Sequence, residues 1–271
     1  MLAWPSSSLA VTLGLLFGSL VGSFLNVVIY RLPQGLSVVT PRSYCPSCRR
    51  TVRWYENIPV FSYLFLAGRC HGCRARISFR YPLVEILTAV LASAVVVKFG
   101  LTARAGYYFL FFVSPLIAIT LIDLDHQIIP DELSLPGIAL GLLGSAWLGP
   151  HAWVENTIQS GLGILAGGGV LFTISWFYEK VRHQEGLGGG DVKLAAMIGA
   201  FLGWRAVFMV LLLSSLLGSV VGLLLMIIFR KGLKLAIPFG PFLAGASLLY
   251  LFYGHELINL YLKWTVGKMY N

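Results

Sequence analysis

Eight runs of mainly apolar residues divide this chain, near positions 9–30, 82–97, 107–122, 133–148, 158–178, 192–204, 206–229 and 237–253. A helix needs about 20 such residues to cross the hydrocarbon core of a bilayer. The runs therefore predict an all-α polytopic membrane protein with about eight transmembrane helices, the sixth of them short. Charge supports this reading, since 11% of the 271 residues are charged and 57% are hydrophobic, where a soluble domain carries roughly a quarter charged residues. The longest polar stretch covers only 31–80, so no soluble domain of usual size fits anywhere.

The net charge of +9 by itself suggests nucleic acid, but the placement of the charges points to topology instead. With the N-terminus outside, the inner segments hold nine arginines between Arg31 and Arg80, then Lys180, Arg182, Lys193, Arg230, Lys231 and Lys234. The outer segments hold Lys98, Arg104, Arg205, Lys263 and Lys268. Positive charge concentrates on cytoplasmic loops, so the 31–80 loop is expected in the cytosol. The first eight residues carry no Lys or Arg, and the first run is longer than a signal-peptide core, so it is read as a membrane span. Trp147, Trp153, Trp204, Tyr253 and Trp264 fall near the outer boundary, where an aromatic belt is expected.

All four cysteines lie in that cytosolic loop, as Cys45-Pro46-Ser47-Cys48 and Cys70-His71-Gly72-Cys73 with twenty-one residues between the pairs. Two such pairs offer four thiolates that can close around a zinc ion, and a reducing compartment favours metal over disulfides. Nine arginines around the loop suit anionic lipid head groups or an anionic partner. In the first span Gly14, Gly18 and Gly22 recur every fourth residue, a small-residue packing stripe. Asn26 is expected to hydrogen-bond a neighbouring helix.

Two acidic clusters stand at the edges of apolar runs. One is the sequence from Ile122 to Asp131, which carries Asp123, Asp125, His126, Pro130 and Asp131. The other is the glycine run from Gly186 to Gly190 that ends in Asp191. Acids at a membrane boundary are costly and mark function by default. The glycines allow positive φ or the close approach of another chain; the plainer alternative is a turn with Asp191 as N-cap of the next helix. The topology puts both acids at the cytoplasmic face, as a two-aspartate hydrolysis requires. Asp123 and Asp125 point to different sides of one helix, and Asp123 lies deeper. Asp125, His126 and Asp131 are expected nearer the head groups, with Pro130 ending the helix at about the preceding residue. Pro238-Phe239-Gly240-Pro241 reads as the start of the last helix, with lining of a substrate groove as the other option. Glycines in the fifth and seventh runs, including Gly161, Gly163, Gly167 to Gly169, Gly218 and Gly222, read as close helix contacts.

Gly188-Gly189-Gly190-Asp191, the aspartate segment ending in Ile129-Pro130-Asp131, and the paired cysteines together resemble the type IV prepilin peptidases. These are bifunctional leader peptidases and N-methyltransferases of the GxGD class of aspartic proteases. The resemblance covers nearly the whole chain and implies Asp123 and Asp191 as the catalytic pair. It also implies Cys45, Cys48, Cys70 and Cys73 as structural zinc ligands, S-adenosylmethionine as methyl donor, and prepilins or pseudopilins as substrates. Gly68 and Glu85 match positions linked to the methylation half; for Glu85 a helix first-turn acid is the alternative. The implied organisation is a first transmembrane helix (1–30), a methylation-associated cysteine loop (31–81) and a membrane peptidase domain (82–271). The implied location is the bacterial inner membrane, among lipid and without nucleic acid. A secondary transporter would also carry membrane acids but needs no cysteine loop. A zinc-loop receptor for nucleic acid would use the arginines and leave both acids without a task.

Overall fold

A computed structural model describes residues 7–148, 153–182, 188–229 and 237–266. Outside them lie Gly186 and Leu187 of the glycine run, Arg230, Lys231, Lys234, Lys268 and the Trp264 side chain. Among the described residues the chain is helical with no strand. Its α-helices are α1 (Ser7–Arg31), α2 (Phe61–Phe65), α3 (Arg80–Phe99), α4 (Ala103–Tyr108), α5 (Ser114–His126), α6 (Asp131–Leu148), α7 (Trp153–Arg182), α8 (Gly189–Leu202), α9 (Trp204–Phe229) and α10 (Gly240–Val266). A π-helical turn, Phe109–Val113, joins α4 to α5. Each of the eight apolar runs is helical over most of its length, with breaks at Gly203 and at 237–239. Five helical segments of the described residues are long and apolar enough to cross a membrane: Ser8–Gln34, Arg80–Phe99, Ala103–His126, Trp153–Arg182 and Trp204–Ile228. The chain forms two compact units, one ending at Ala118 and the other beginning at Ile119.

In the first unit α1 packs along α3, and the glycine stripe is the reason. A Cβ on Gly18 would lie 2.7 Å from the Ala89 Cα and 2.8 Å from the Thr88 carbonyl oxygen, while Gly14 faces Ser93 and Gly22 faces Glu85 in the same way. Side chains are absent where the backbones meet, so dispersion contacts and short polar links hold the pair without help from water. The Ser93 hydroxyl donates to the Val11 carbonyl at 3.2 Å, and the Asn26 amide donates to the Tyr81 carbonyl at 3.1 Å. The sequence expectation for Asn26 is met.

In the second unit α8 is the central helix, with every side chain from Leu194 to Phe201 buried. Its 14 residues rise only about 21 Å, short of the roughly 30 Å hydrocarbon core. Protein surrounds it instead, with α6 and α7 packed against it. Gly163 of α7 and Gly199 of α8 face each other so closely that a Cβ on either would strike the other's carbonyl oxygen, and Gly167 meets the Ala195 carbonyl likewise. The Ser160 hydroxyl donates to the Ala200 carbonyl at 2.7 Å within this contact. The other glycines expected at close contacts divide. Gly168 would place a Cβ 3.2 Å from the Ala196 Cβ, but Gly161 and Gly169 have open space, and Gly218 and Gly222 have room for a Cβ at ordinary contact distance. For Gly218 and Gly222 the room follows position, since α9 exposes Phe208, Leu212, Leu216, Leu223 and Ile227. Trp147, Trp153 and Tyr253 are exposed as well. At Tyr253 the α10 backbone leaves helical geometry, with φ −128°, at the end expected for the last apolar run.

Candidate active site and metal centre

The two cysteine pairs fold into two turns of the same design. The Cys45 amide donates to the Arg50 carbonyl at 2.9 Å and the Cys45 carbonyl accepts from the Arg49 amide at 2.8 Å. The Cys70 amide donates to Ala75 at 2.8 Å and the Cys70 carbonyl accepts from Arg74 at 3.0 Å. In each turn the fifth residue, Arg49 or Arg74, takes a left-handed φ of 56° or 60°. This aims both sulfurs of each pair the same way. The four Sγ atoms lie within 4.8 Å of one another, Cys45 and Cys73 at 3.8 Å, and none is in a disulfide. Four thiolates held at about 2.3 Å from a tetrahedral metal would stand about 3.8 Å apart, so the set fits such an ion. The Cys48 amide, together with that of Ser47, holds the Cys45 thiol down to about 6. Against a lowering bond from the Ala75 amide, desolvation and the neighbouring sulfurs push Cys73 up to about 11. Four thiolates this close would need a cation between them, and a bound metal would supply it.

The arginines around this module are not all at its surface. Arg31 is buried and donates to the carbonyls of Ser37 at 3.0 Å and Arg42 at 3.4 Å, so it closes the end of α1 instead of facing lipid. Arg50 pairs with Glu56 at 2.8 Å. The Arg53 amide, with Arg50 beside it, holds the Glu56 carboxyl below the usual carboxylate range.

Glu85 is not a first-turn acid, because α3 begins at Arg80 and has no acid in its first turn. It is buried, accepts the Val60 amide at 2.7 Å and bonds the Ser23 side chain. Val60 holds an unfavourable φ of 63° at the entry to α2, and the Glu85 bond anchors it there. Gly68, at φ 65°, places its backbone against Tyr63; a Cβ there would lie 2.8 Å from the Tyr63 hydroxyl. Glu85 and Tyr63 line one cavity of the first unit, and Gly68 stands behind Tyr63.

In the second unit Asp123 is 5% exposed on the last turn of α5, while Asp125 and His126 are exposed. The helix stops at His126, where Gln127 turns left-handed at φ 55° and its amide bonds the Asp123 carbonyl. It thus ends three residues earlier than Pro130 alone suggests, and the extended segment 128–130 carries Ile129 against α8. Asp191 sits in the first turn of α8 as its third residue. The N-cap is Gly188, with φ −61°. Neither the cap reading for Asp191 nor a positive φ in Gly188 to Gly190 holds. The close approach that the structure shows is instead within the chain itself: a Cβ on Gly190 would lie 2.8 Å from the Ile129 Cβ.

Ile129 also stands beside Gly240, whose backbone meets Asp123, so this contact brings the segments that carry the two acids to one place. Asp123 Oδ2 accepts the Gly240 amide at 3.0 Å. Oδ1 of Asp191 is buried and has no hydrogen-bond partner among the described residues. A buried carboxylate oxygen without a partner is expensive in a folded protein and calls for an explanation. Two contacts escape the sequence reading. The segment with Gly240 reads as a helix start with groove lining as the other option, but its backbone donor bond to Asp123 is not visible in the residue type. Asp131, expected among the head groups, forms a two-pronged ion pair with Lys193 at 2.7 and 2.8 Å. That pair joins the starts of α6 and α8.

The family models give the wider context. The Bacterial Peptidase A24 N-terminal domain matches residues 16–99, and the Type IV leader peptidase family matches residues 110–223. A prepilin leader peptidase/N-methyltransferase of Pseudomonas aeruginosa is 39% identical over 94% of each chain. One of Aeromonas salmonicida is 40% identical over 92% of each, and one of Myxococcus xanthus is 45% identical over 78% of this chain and 61% of its own. No solved structure matches the chain. By these matches the chain, with its paired cysteines and paired acids, belongs to the type IV leader peptidase family.

Proposed function

We infer that this protein is a bifunctional membrane enzyme that cuts the leader from prepilins or pseudopilins and N-methylates the newly exposed residue with S-adenosylmethionine. The observation that supports the peptidase half is that Ile129 lies against Gly190 and beside Gly240, next to Asp123, within one unit, and that Oδ1 of Asp191 is buried with no hydrogen-bond partner among the described residues. We assign these two as the catalytic residues. The Gly240 amide on Oδ2 stabilises an ionised Asp123, since a donor to a carboxylate favours its charged form. Asp123 is then the base that takes a proton from the attacking water. Asp191, next to that charge and partly buried, holds the proton that it gives to the scissile amide. Asp125 is exposed on another side of α5 and is left out of the chemistry.

Eight crossings, with the 31–81 loop and the acid pair on the cytoplasmic face of the bacterial inner membrane, follow the positive-inside distribution. On this reading the peptidase occupies 82–271 after a first helix at 1–30. Lipid is its surrounding, and its basic charge requires no nucleic acid. A transporter or a nucleic-acid receptor is disfavoured, since neither uses both the cysteine set and the acid pair. Incubating the purified chain with a prepilin, with and without S-adenosylmethionine, and measuring intact mass tests both halves. Loss of the leader is expected in both samples and a gain of one methyl group only with the donor. An unchanged substrate mass in both would overturn the reading.

Zinc fits the cysteine geometry, and Cys45, Cys48, Cys70 and Cys73 would hold it as a closed structural site. Metal analysis of freshly reduced protein is expected to give one zinc per chain, and finding none would refute the assignment. Because such a site contributes folding energy to a small module, Cys45→Ser should loosen the 31–81 loop and impair methylation more than cleavage. Equal loss of both activities would mean that the loop supports the whole fold.

A further inference from the structure

The first unit encloses a cavity of about 440 Å³ between the cysteine module and the inner ends of α1 and α3. This lies within the roughly 300–1,000 Å³ common for small-molecule sites. Tyr44, Tyr63 and Tyr81 contribute aromatic walls. At one side stands Glu85, 8% exposed, whose only partners among the described residues are the neutral Val60 amide and Ser23 side chain. A buried carboxylate is normally met by a cation, and no Lys or Arg among the described residues pairs with this one. Arg76 also lines the cavity, exposed and in no ion pair among the described residues.

We propose that this cavity is the binding site for S-adenosylmethionine, with Glu85 as counter-charge to the donor's sulfonium and Arg76 facing its carboxylate. The proposal rests on the methyltransferase reading and adds a place and a recognition chemistry to it. The ligand class follows from the charges. A compact cation beside aromatic faces and a buried acid is favoured, and a carboxylate suits a planar guanidinium. Nucleotide phosphates would be repelled by Glu85 at the buried end. Gly68 takes an indirect part: it has no place in the cavity wall, but a side chain there would displace Tyr63, which has one.

S-adenosylhomocysteine provides the discriminating comparison, because it keeps the nucleoside and amino-acid groups and lacks the sulfonium charge. Binding of both ligands to the zinc-loaded full chain in detergent is measured by calorimetry for the wild type and Glu85→Gln. The glutamine keeps an acceptor for the Val60 amide, so the wall should stand, and retained zinc content checks this. S-adenosylmethionine is expected to weaken about tenfold or more and S-adenosylhomocysteine markedly less. Equal weakening of both would make Glu85 a structural tie and overturn its role as counter-charge. A photoreactive azido derivative of the donor, bound to the wild type, provides a second test that needs no variant. It should label peptides carrying Tyr44, Tyr63 or Tyr81, and labelling elsewhere would overturn the site while the methyltransferase reading stands. Wild-type protein that neither binds the donor nor methylates would overturn that reading as well.

Discussion

Replacing either Asp123 or Asp191 by asparagine is expected to lower prepilin cleavage by roughly a thousandfold or more, the scale at which a lost general acid or base is felt. Asparagine keeps the shape of the side chain, and at Asp123 its oxygen can still accept the Gly240 amide seen at 3.0 Å. It cannot take a proton from water, and at position 191 it has no acidic proton to give. Because the two groups act as one unit, the double variant should be no slower than the slower single variant. Asp125→Asn should keep substantial activity, since Asp125 is exposed while Asp123 is buried at the contact with Gly240. The measurement is the rate of leader loss in detergent, with methylation of a pre-cleaved substrate as a check that the protein is folded. A dead Asp125→Asn with an active Asp123→Asn would move the catalytic role along α5. Activity in all three variants would refute the aspartic mechanism.

The parts of this molecule that were legible in the sequence are those governed by spacing along one element. Gly14, Gly18 and Gly22 recur at the period of one helix face, and that face meets α3. The cysteine pairs, each closed by a turn of its own, converge into one cluster. Asp123 and Asp125 are separated by helical geometry alone, and the structure buries one and exposes the other. What was not legible depends on which elements meet. Gly163 and Gly199 occur in different runs, and nothing in either run says that they face each other. The same holds for Asp131 and Lys193, sixty-two positions apart. The glycine run shows the difference within a single motif. Its flexibility suggested unusual φ values, but Gly188 has ordinary extended geometry and the use lies in the missing side chain of Gly190, against Ile129. The early end of α5 has the same origin. Pro130 restricts only its immediate neighbour, whereas the turn at Gln127 is what delivers Ile129 to α8.

Gly240→Ala is expected to reduce cleavage by about a hundredfold, the order that follows when a reacting group is displaced by about 1 Å, with the protein still folded. The substitution leaves the backbone amide that donates to Asp123, so the hydrogen-bond donor itself is not removed. What changes is space. A Cβ at this position would lie 2.5 Å from Asp123 Oδ2 and 3.2 Å from its Cγ, with the Ile129 Cδ1 at 3.3 Å on another side. Real Cβ atoms do not approach oxygen so closely, and the carboxylate is the softer neighbour, so it must turn away from the amide. An Asp123 turned in this way loses both the donor that stabilises its charge and its position relative to Asp191. Gly245→Ala is the matched control, on the same helix and with nothing within 4 Å of the added carbon; it should cleave at the wild-type rate. The comparison separates a steric effect on the acid from a general effect of alanine on α10. Wild-type cleavage by Gly240→Ala would mean that Asp123 works in a position other than the one this amide holds, while equal loss in both variants would place the sensitivity in the helix.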